Sequence, residues 1–188
     1  MNFYKERLKH PLNLNSPALL IIDMQKYFTD KNSPAYIKGI ENIYENIKKL
    51  SETFMKEGYP VIATIHKGGN SSMQSWWGNK IEAEWAKPHF ISDYFTYIEK
   101  DTYDAFYNTE LEKILKLRYV KEVIITGVMT HLCCETTARS AFVRGFNVVM
   151  VEDALWDKDE FYHFSSLKNL GHGFATISFT EEILCKLE

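Results

Sequence analysis

Three side chains in this sequence of 188 residues combine a reactive group with a position from which it could act. Cys133, in ITGVMTHLCCETTAR, follows the apolar run EVIIT and falls in the first turn of the helical pattern after it. A helix start carries partial positive charge and free N–H groups, which lower a thiol pKa and can hold an oxyanion. Asp23 stands where the run ALLII leaves the core, so its carboxylate either caps the next turn or faces a site. Lys100 ends the segment YFTYIEK, and a lysine is ordinarily a solvated surface cation. If residues 95–98 form a strand, however, Lys100 reaches the same sheet edge as Asp23 and the start of the Cys133 helix. There it would supply the cation that a thiolate requires. Cys134 and Cys185 read as small hydrophobes, the commonest role of a free cysteine.

Bringing these groups together requires strands that end side by side. Four apolar runs are β-rich and continuous rather than alternating, the pattern of strands buried on both faces: 18–24 (ALLIIDM), 59–65 (YPVIATI), 122–126 (EVIIT) and 146–151 (FNVVMV). Segments 95–98 and 174–178 carry a fainter version of that signal. Between them, Ile40, Ile43, Ile47, Leu50 and Phe54 recur at spacings of three and four up to Gly58, and Leu111, Ile114, Leu115 and Leu117 do so over a shorter span. Further helices are predicted from about Thr130 through Arg144, ended by Gly145, and over 161–170, ended by Gly171. Strands alternating with helices predict an α/β fold, with a mostly parallel sheet covered on both faces and ligands beyond the carboxyl ends of the strands. The stretch 66–90, HKGGNSSMQSWWGNKIEAEWAKPHF, breaks this rhythm and reads as a long functional loop, or loop plus short helix, over the sheet edge. Without repeats or linker-like composition, residues 1–188 read as one domain.

The segments IIDMQ, IEKDTYDAFYNTELEKIL and IITGVMTHLCCETTARSAFVRGF occur in this order with helical patterns between them. Together they resemble the isochorismatase-like hydrolase superfamily, the cysteine hydrolases that include nicotinamidases and N-carbamoylsarcosine amidase. The resemblance runs from about residue 16 to the end of the chain. It implies a three-layer α/β/α fold with a six-stranded, mostly parallel sheet and an Asp-Lys-Cys triad, carried onto Asp23, Lys100 and Cys133. It also implies a cis peptide before Met129, which would aim the N–H groups of Met129 and Cys133 at an oxyanion.

Two branches of the superfamily share features with this chain. Members resembling nicotinamidase typically bind a metal through an Asp-x-His pair after the second strand plus a further His. Here that loop reads ATIHKGGN, so His66 is present without the pair, and no metal or other cofactor is expected. His66 then reads as a hydrogen-bonding or substrate-contacting group. Isochorismatases proper commonly carry glycine where Cys133 stands, yet DALWDKDEFYHFSSLKNL, FTEEIL and His131 resemble that branch. GVMTHLCCETTAR, DAFYNTELE and the Trp76–Trp77 pair resemble the amidases. Because vinyl ether cleavage has no use for a nucleophile, the cysteine favours an amidase working through a thioester. Phe28, Trp76, Trp77 and Phe106 are expected to wall its pocket and His66 and His131 to contact substrate, with core or interface packing the alternative for each aromatic. Isochorismatase-type ether hydrolysis, with Asp23 as proton donor, and a catalytically silent binding protein on the same fold remain as the other readings.

Composition narrows the partners. A hydrophobic share of 45% with 25% charged residues excludes a disordered or fibrous chain, and a net charge of −3 lacks the basic field that nucleic acid or an anionic membrane would need. Three cysteines, two of them adjacent, do not make a disulfide framework. The amino-terminal segment MNFYKERLKHPLNLNSP is polar, and no stretch approaches the ~18 apolar residues of a membrane span. The expectation is therefore a cytoplasmic enzyme with a small-molecule substrate, forming a homo-oligomer, a dimer or tetramer.

Overall fold

The computed structural model describes residues 7, 9–78 and 81–187; seven positions at the start of the polar amino-terminal segment and residues 79–80 of the 66–90 loop lie outside them. Strand β1 (Pro17–Ile22) leads through a short helix α1 (Lys26–Thr29) and a 3-10 turn (Ile40–Ile43) into helix α2 (Tyr44–Lys56). Strand β2 (Val61–His66), helix α3 (Ser71–Trp77), strand β3 (Thr96–Lys100) and helix α4 (Leu111–Leu117) follow. Strand β4 (Glu122–Val128) passes through a π-turn (Thr130–Cys134) into helix α5 (Glu135–Val143). Strand β5 (Asn147–Trp156), helix α6 (Glu160–Gly173), strand β6 (Ala175–Ser178) and helix α7 (Thr180–Leu187) complete the chain.

All six strands are parallel in the order β3-β2-β1-β4-β5-β6. Alternation along β1 divides the core. Ala18, Leu20 and Ile22 pack on one face with Leu111 and Leu115, Ala138 and Ala141, and Leu167 and Leu170 from α4, α5 and α6. Leu19 and Ile21 pack on the other with Ile47, Leu50 and Phe54 of α2 and Ile183 of α7. This is the three-layer α/β/α arrangement expected from the continuous apolar strands, each of which must be covered twice. Because the strand order reverses between β1 and β4, a crevice opens beyond their carboxyl ends, where ligands of such sheets bind. At that exit β1 and β4 approach so closely that a Cβ on Gly127, which has φ +102°, would lie 2.1 Å from the Ile22 carbonyl oxygen. Only glycine fits there.

Two boundaries differ from the sequence reading. Strand β5 continues past Val151 through Glu152 and Asp153, because the Asp153 carboxylate accepts the N–H and hydroxyl of Thr180 at 2.8 and 2.9 Å and its carbonyl accepts Asn46 Nδ2 at 2.7 Å. A bulge then lets Leu155 and Trp156 pair with Gly127 and Val128. Helix α6 does not stop at Gly171 but buries it and runs on to Gly173.

Candidate active site

Four strand ends deliver the functional side chains to the crevice. Asp23 follows β1 in the left-handed region at φ 49°, which turns the chain sharply out of the strand. Its carboxylate is fully buried; Oδ1 accepts the Thr64 hydroxyl at 2.6 Å and Oδ2 accepts Lys100 Nζ at 2.7 Å. The Thr64 oxygen also accepts the Asp23 N–H at 3.0 Å, so β2 clamps both the backbone and the side chain of this residue. Lys100 is the last residue of β3, in register with His66, the last residue of β2. Its ammonium is surrounded by Asp23 Oδ2, the Thr102 carbonyl at 2.9 Å, His66 Nδ1 at 3.2 Å and Cys133 Sγ at 3.5 Å. Lysine can only donate, so His66 Nδ1 is the acceptor and the ring keeps its proton on Nε2. His66 is fixed in turn by Gln25, whose side chain takes the His66 N–H at 2.7 Å and gives a hydrogen bond to its carbonyl at 3.0 Å.

Cys133 lies in the π-turn after β4, and the Val128–Met129 peptide before it is cis, as the resemblance implied. The turn is held from below. Thr130 Oγ1 donates to the Trp156 carbonyl at 3.0 Å and therefore accepts His163 Nδ1–H at 2.9 Å. Burial holds the His163 pKa down to about 4, so that histidine is neutral.

The electrostatics of the cluster correct one expectation. A helix start and a nearby lysine by themselves would lower the Cys133 thiol pKa. Burial instead raises it strongly, the Asp23 carboxylate adds to the rise, and Lys100 offsets only part of this. In the free protein Cys133 is a thiol. Burial pulls the Lys100 pKa down, but the Asp23 carboxylate pulls it up, the net shift is upward, and the ammonium persists. Burial also lowers the His66 pKa, which keeps its imidazole neutral.

A cavity of about 420 Å³ opens onto this cluster, and Cys133, His66 and Met129 form part of its lining. Phe28, Trp77 and His131 also line it. Trp76 does not: it is 80% exposed on α3, a helix with no buried residue, while Trp77 is drawn inward by its Nε1–H donating to the Tyr103 hydroxyl at 2.6 Å. Phe106 also departs from the expectation. It is buried in the α4/α5 side of the core, stacked on Phe146 at 6.0 Å beneath the Arg144 guanidinium, because the loop after β3 folds back onto α5. Sequence reasoning missed Tyr103, Lys158 and Tyr162, which line the cavity from loops after β3 and β5 and from α6, and Asp157, which accepts the His131 N–H and Nδ1–H at 2.8 and 2.7 Å. The only sequence signal for the last three was the segment DALWDKDEFYHF.

Asp23, His66 and Cys133 bring metal-ligating atoms within 4.8 Å of one another. Lys100 Nζ is within contact of all three, so a cation already occupies the centre of the set. The Asp-x-His pair that the resemblance ties to a metal is also missing from the sequence here: after His66 the chain reads Lys67, Gly68 and Gly69, and the His89 ring lies tilted against Tyr44 at 4.1 Å. These residues do not fit a resident metal.

Comparison with known proteins agrees with this architecture. The isochorismatase domain model matches residues 17–182. Nicotinamidase 3 of Arabidopsis thaliana is 35% identical over 189 aligned residues, covering 92% of this chain and 88% of its own. Enterobactin synthase component B of Escherichia coli (strain K12) is 33% identical over 181 residues, covering 89% of this chain but 62% of its own, so the present chain spans less than two thirds of that relative. A crystal structure of a cysteine hydrolase from Pseudomonas syringae pv. phaseolicola superimposes with a TM-score of 0.88 at 23% identity, covering 95% of each chain. The sheet order, the domain match over residues 17–182 and the 35% identical relative lead to one conclusion: this chain is a member of the isochorismatase-like hydrolase superfamily.

Proposed function

We propose that this protein is a cysteine-dependent amidase that cleaves a C–N bond of a small molecule through a thioester. The observation that carries the reading is the buried Lys100 ammonium bridging Asp23 Oδ2 at 2.7 Å and Cys133 Sγ at 3.5 Å, with Cys133 on the wall of a cavity of about 420 Å³. Since the resting group is a thiol, attack is coupled to proton transfer: Asp23 takes the Cys133 proton as the sulfur bonds to the carbonyl carbon. Lys100 stabilises the charge passing between carboxylate and sulfur, and the N–H groups of Met129 and Cys133 receive the oxyanion. When the C–N bond breaks, the departing amine takes the proton from Asp23. Water then adds to the thioester, giving a proton to Asp23, and collapse of the second adduct breaks the C–S bond and returns that proton to Cys133. Thr64 and His66, which touch Asp23 and Lys100, hold the pair in place throughout.

Isochorismatase-type ether cleavage, in which Asp23 protonates substrate and Cys133 stands by, is favoured by the resemblance of His131 and of DALWDKDEFYHF to that branch. One assay separates the two. The protein is incubated with a panel of primary amides including nicotinamide, and separately with isochorismate. Ammonia release abolished by Cys133→Ala supports the amidase, whereas pyruvate release that survives Cys133→Ala replaces it with the ether hydrolase.

A further inference from the structure

The wall of the cavity formed by the segment after β5 and by α6 carries a charge that the Asp23–Lys100–Cys133 cluster does not use. Among the described residues lining the cavity there is no Asp or Glu. Lys158 is among them, and it makes no salt bridge to any described residue. Lys26 and Lys67, adjacent in sequence to other lining residues, are by contrast paired with Glu84 and Glu99. Neither acid flanking Lys158 in sequence pairs with its side chain: Asp159 accepts the Tyr162 N–H at 3.0 Å at the start of α6. Asp157 is 1% exposed, and its carboxylate accepts three N–H groups: the backbone N–H of His131, the His131 Nδ1–H and the backbone N–H of Lys158 at 2.8 Å.

The Lys158 side chain is exposed and lies over an aromatic ring. Its Nζ lies 4.7 Å from the centroid of the Tyr162 ring, and that ring stacks on His131 at 4.2 Å with an interplanar angle of 24°. His131 is two residues from Cys133 in the same turn, so this stack joins the cation to the reacting end of the cavity. The rest of the lining sets Phe28, Ile37, Met73 and Leu132 beside the uncharged hydroxyls of Tyr27, Tyr36 and Tyr103, so Lys158 is the one Lys or Arg among the described lining residues. A chamber whose described lining carries one lysine and no acid discriminates by charge.

We propose that Lys158, held on Tyr162, is the specificity-determining cation of this site, and that it binds the carboxylate of a substrate whose scissile amide lies at Cys133. The substrates are then small amides that also carry an acid group, rather than uncharged amides. The proposal rests on the amidase reading for the identity of the reacting group, but not for the binding of the anion. His131 and Tyr162 act on the substrate through Lys158 and are positioning residues.

The test uses succinamate and 4-carbamoylbenzoate, each against its own methyl ester, which keeps the amide and removes the charge. Binding is measured by calorimetry on the Cys133→Ala protein, where nothing turns over, and ammonia release is measured on the unaltered protein. At least one acid should be preferred over its ester. Adding Lys158→Met should cut that preference about tenfold, the size of one charge-assisted hydrogen bond, and Lys158→Arg should restore it. No preference in either pair, or a preference that Lys158→Met leaves intact, overturns the proposal. If esters and acids release ammonia equally, the amidase survives and the anion site fails; if Lys158-dependent binding of the acid occurs without ammonia release, the anion site survives and the amidase fails.

Discussion

Asp23 and Glu122 are both buried acids on the same sheet, 0% and 1% exposed, at opposite ends of neighbouring strands. Glu122 opens β4 at the amino end, and its carboxylate accepts the N–H groups of Asn15 and Ser16 at 3.0 and 2.8 Å together with Asn15 Nδ2 at 3.5 Å. It anchors the chain entering β1. Asp23, at the carboxyl end, is held by one hydroxyl and one lysine, lies in a left-handed turn and stands beside a thiol on a cavity wall. Burial and hydrogen bonding are therefore common to an anchor and a site. What separates them is the kind of donor: backbone N–H groups cannot leave, whereas a lysine shared with a sulfur lets charge move between two acceptors.

The largest expected effect comes from the sulfur itself. Cys133→Ala should reduce ammonia release to background while leaving the fold intact, since the helix start tolerates a small side chain; Cys134→Ala, in the core behind it, should affect only stability. Comparable loss of activity in both would assign the wrong cysteine. Asp23→Asn should lower turnover by about 10² to 10⁴ with little change in KM, the usual contribution of a positioned acid–base group. A value within tenfold of the unaltered enzyme would place Asp23 alongside Glu122 as an anchor.

Lys100→Met tests the shared cation. It leaves the Asp23 carboxylate buried without its ammonium, so a cost of about 3 to 5 kcal/mol in urea unfolding should accompany the loss of turnover. Full activity in the folded variant would end its role in the mechanism. Next in size is a buried group that carries no charge. His163 has its pKa held down to about 4 against an unfolded value near 6.5, so the unfolded chain binds the extra proton between these values. Stability is then fully present above pH ~6.5 and falls as the pH is lowered toward 4, by at most about 3 kcal/mol. Urea midpoints across that window should drop in the unaltered protein and flatten in His163→Gln. Smallest, Glu122→Gln keeps an oxygen for the two backbone N–H groups and should cost about 1 kcal/mol with turnover unchanged. A fall in kcat there would dissolve the distinction between the two acids.

The legibility of these features follows from their range. Runs such as ALLII and EVIIT had to be strands covered on both faces, because no other arrangement buries so continuous an apolar segment, and the alternation with helices then required a parallel sheet. β3 was faint because it is an edge strand whose exposed positions, Thr96, Tyr97 and Glu99, leave only Ile98 and Lys100 buried. Residue types at strand ends were enough to nominate Asp23, Lys100 and Cys133.

Three decisions belonged to the tertiary structure alone. The direction of the Cys133 shift depends on how much water packing removes and on the distance to Asp23, neither of which is local. Phe28 faces the cavity while Phe106 is core, although both are aromatic residues in segments that follow a strand, because the loop after β3 folds onto α5. The His131–Tyr162–Lys158 stack joins the turn after β4 to residues about thirty positions later, and only the pairing of β4 with β5 brings those segments to the same wall. Periodicity and residue type act over a few positions and so determined the strands, the helices and the reactive groups; charge, burial and facing are sums over neighbours distant in the chain, and folding had to supply them.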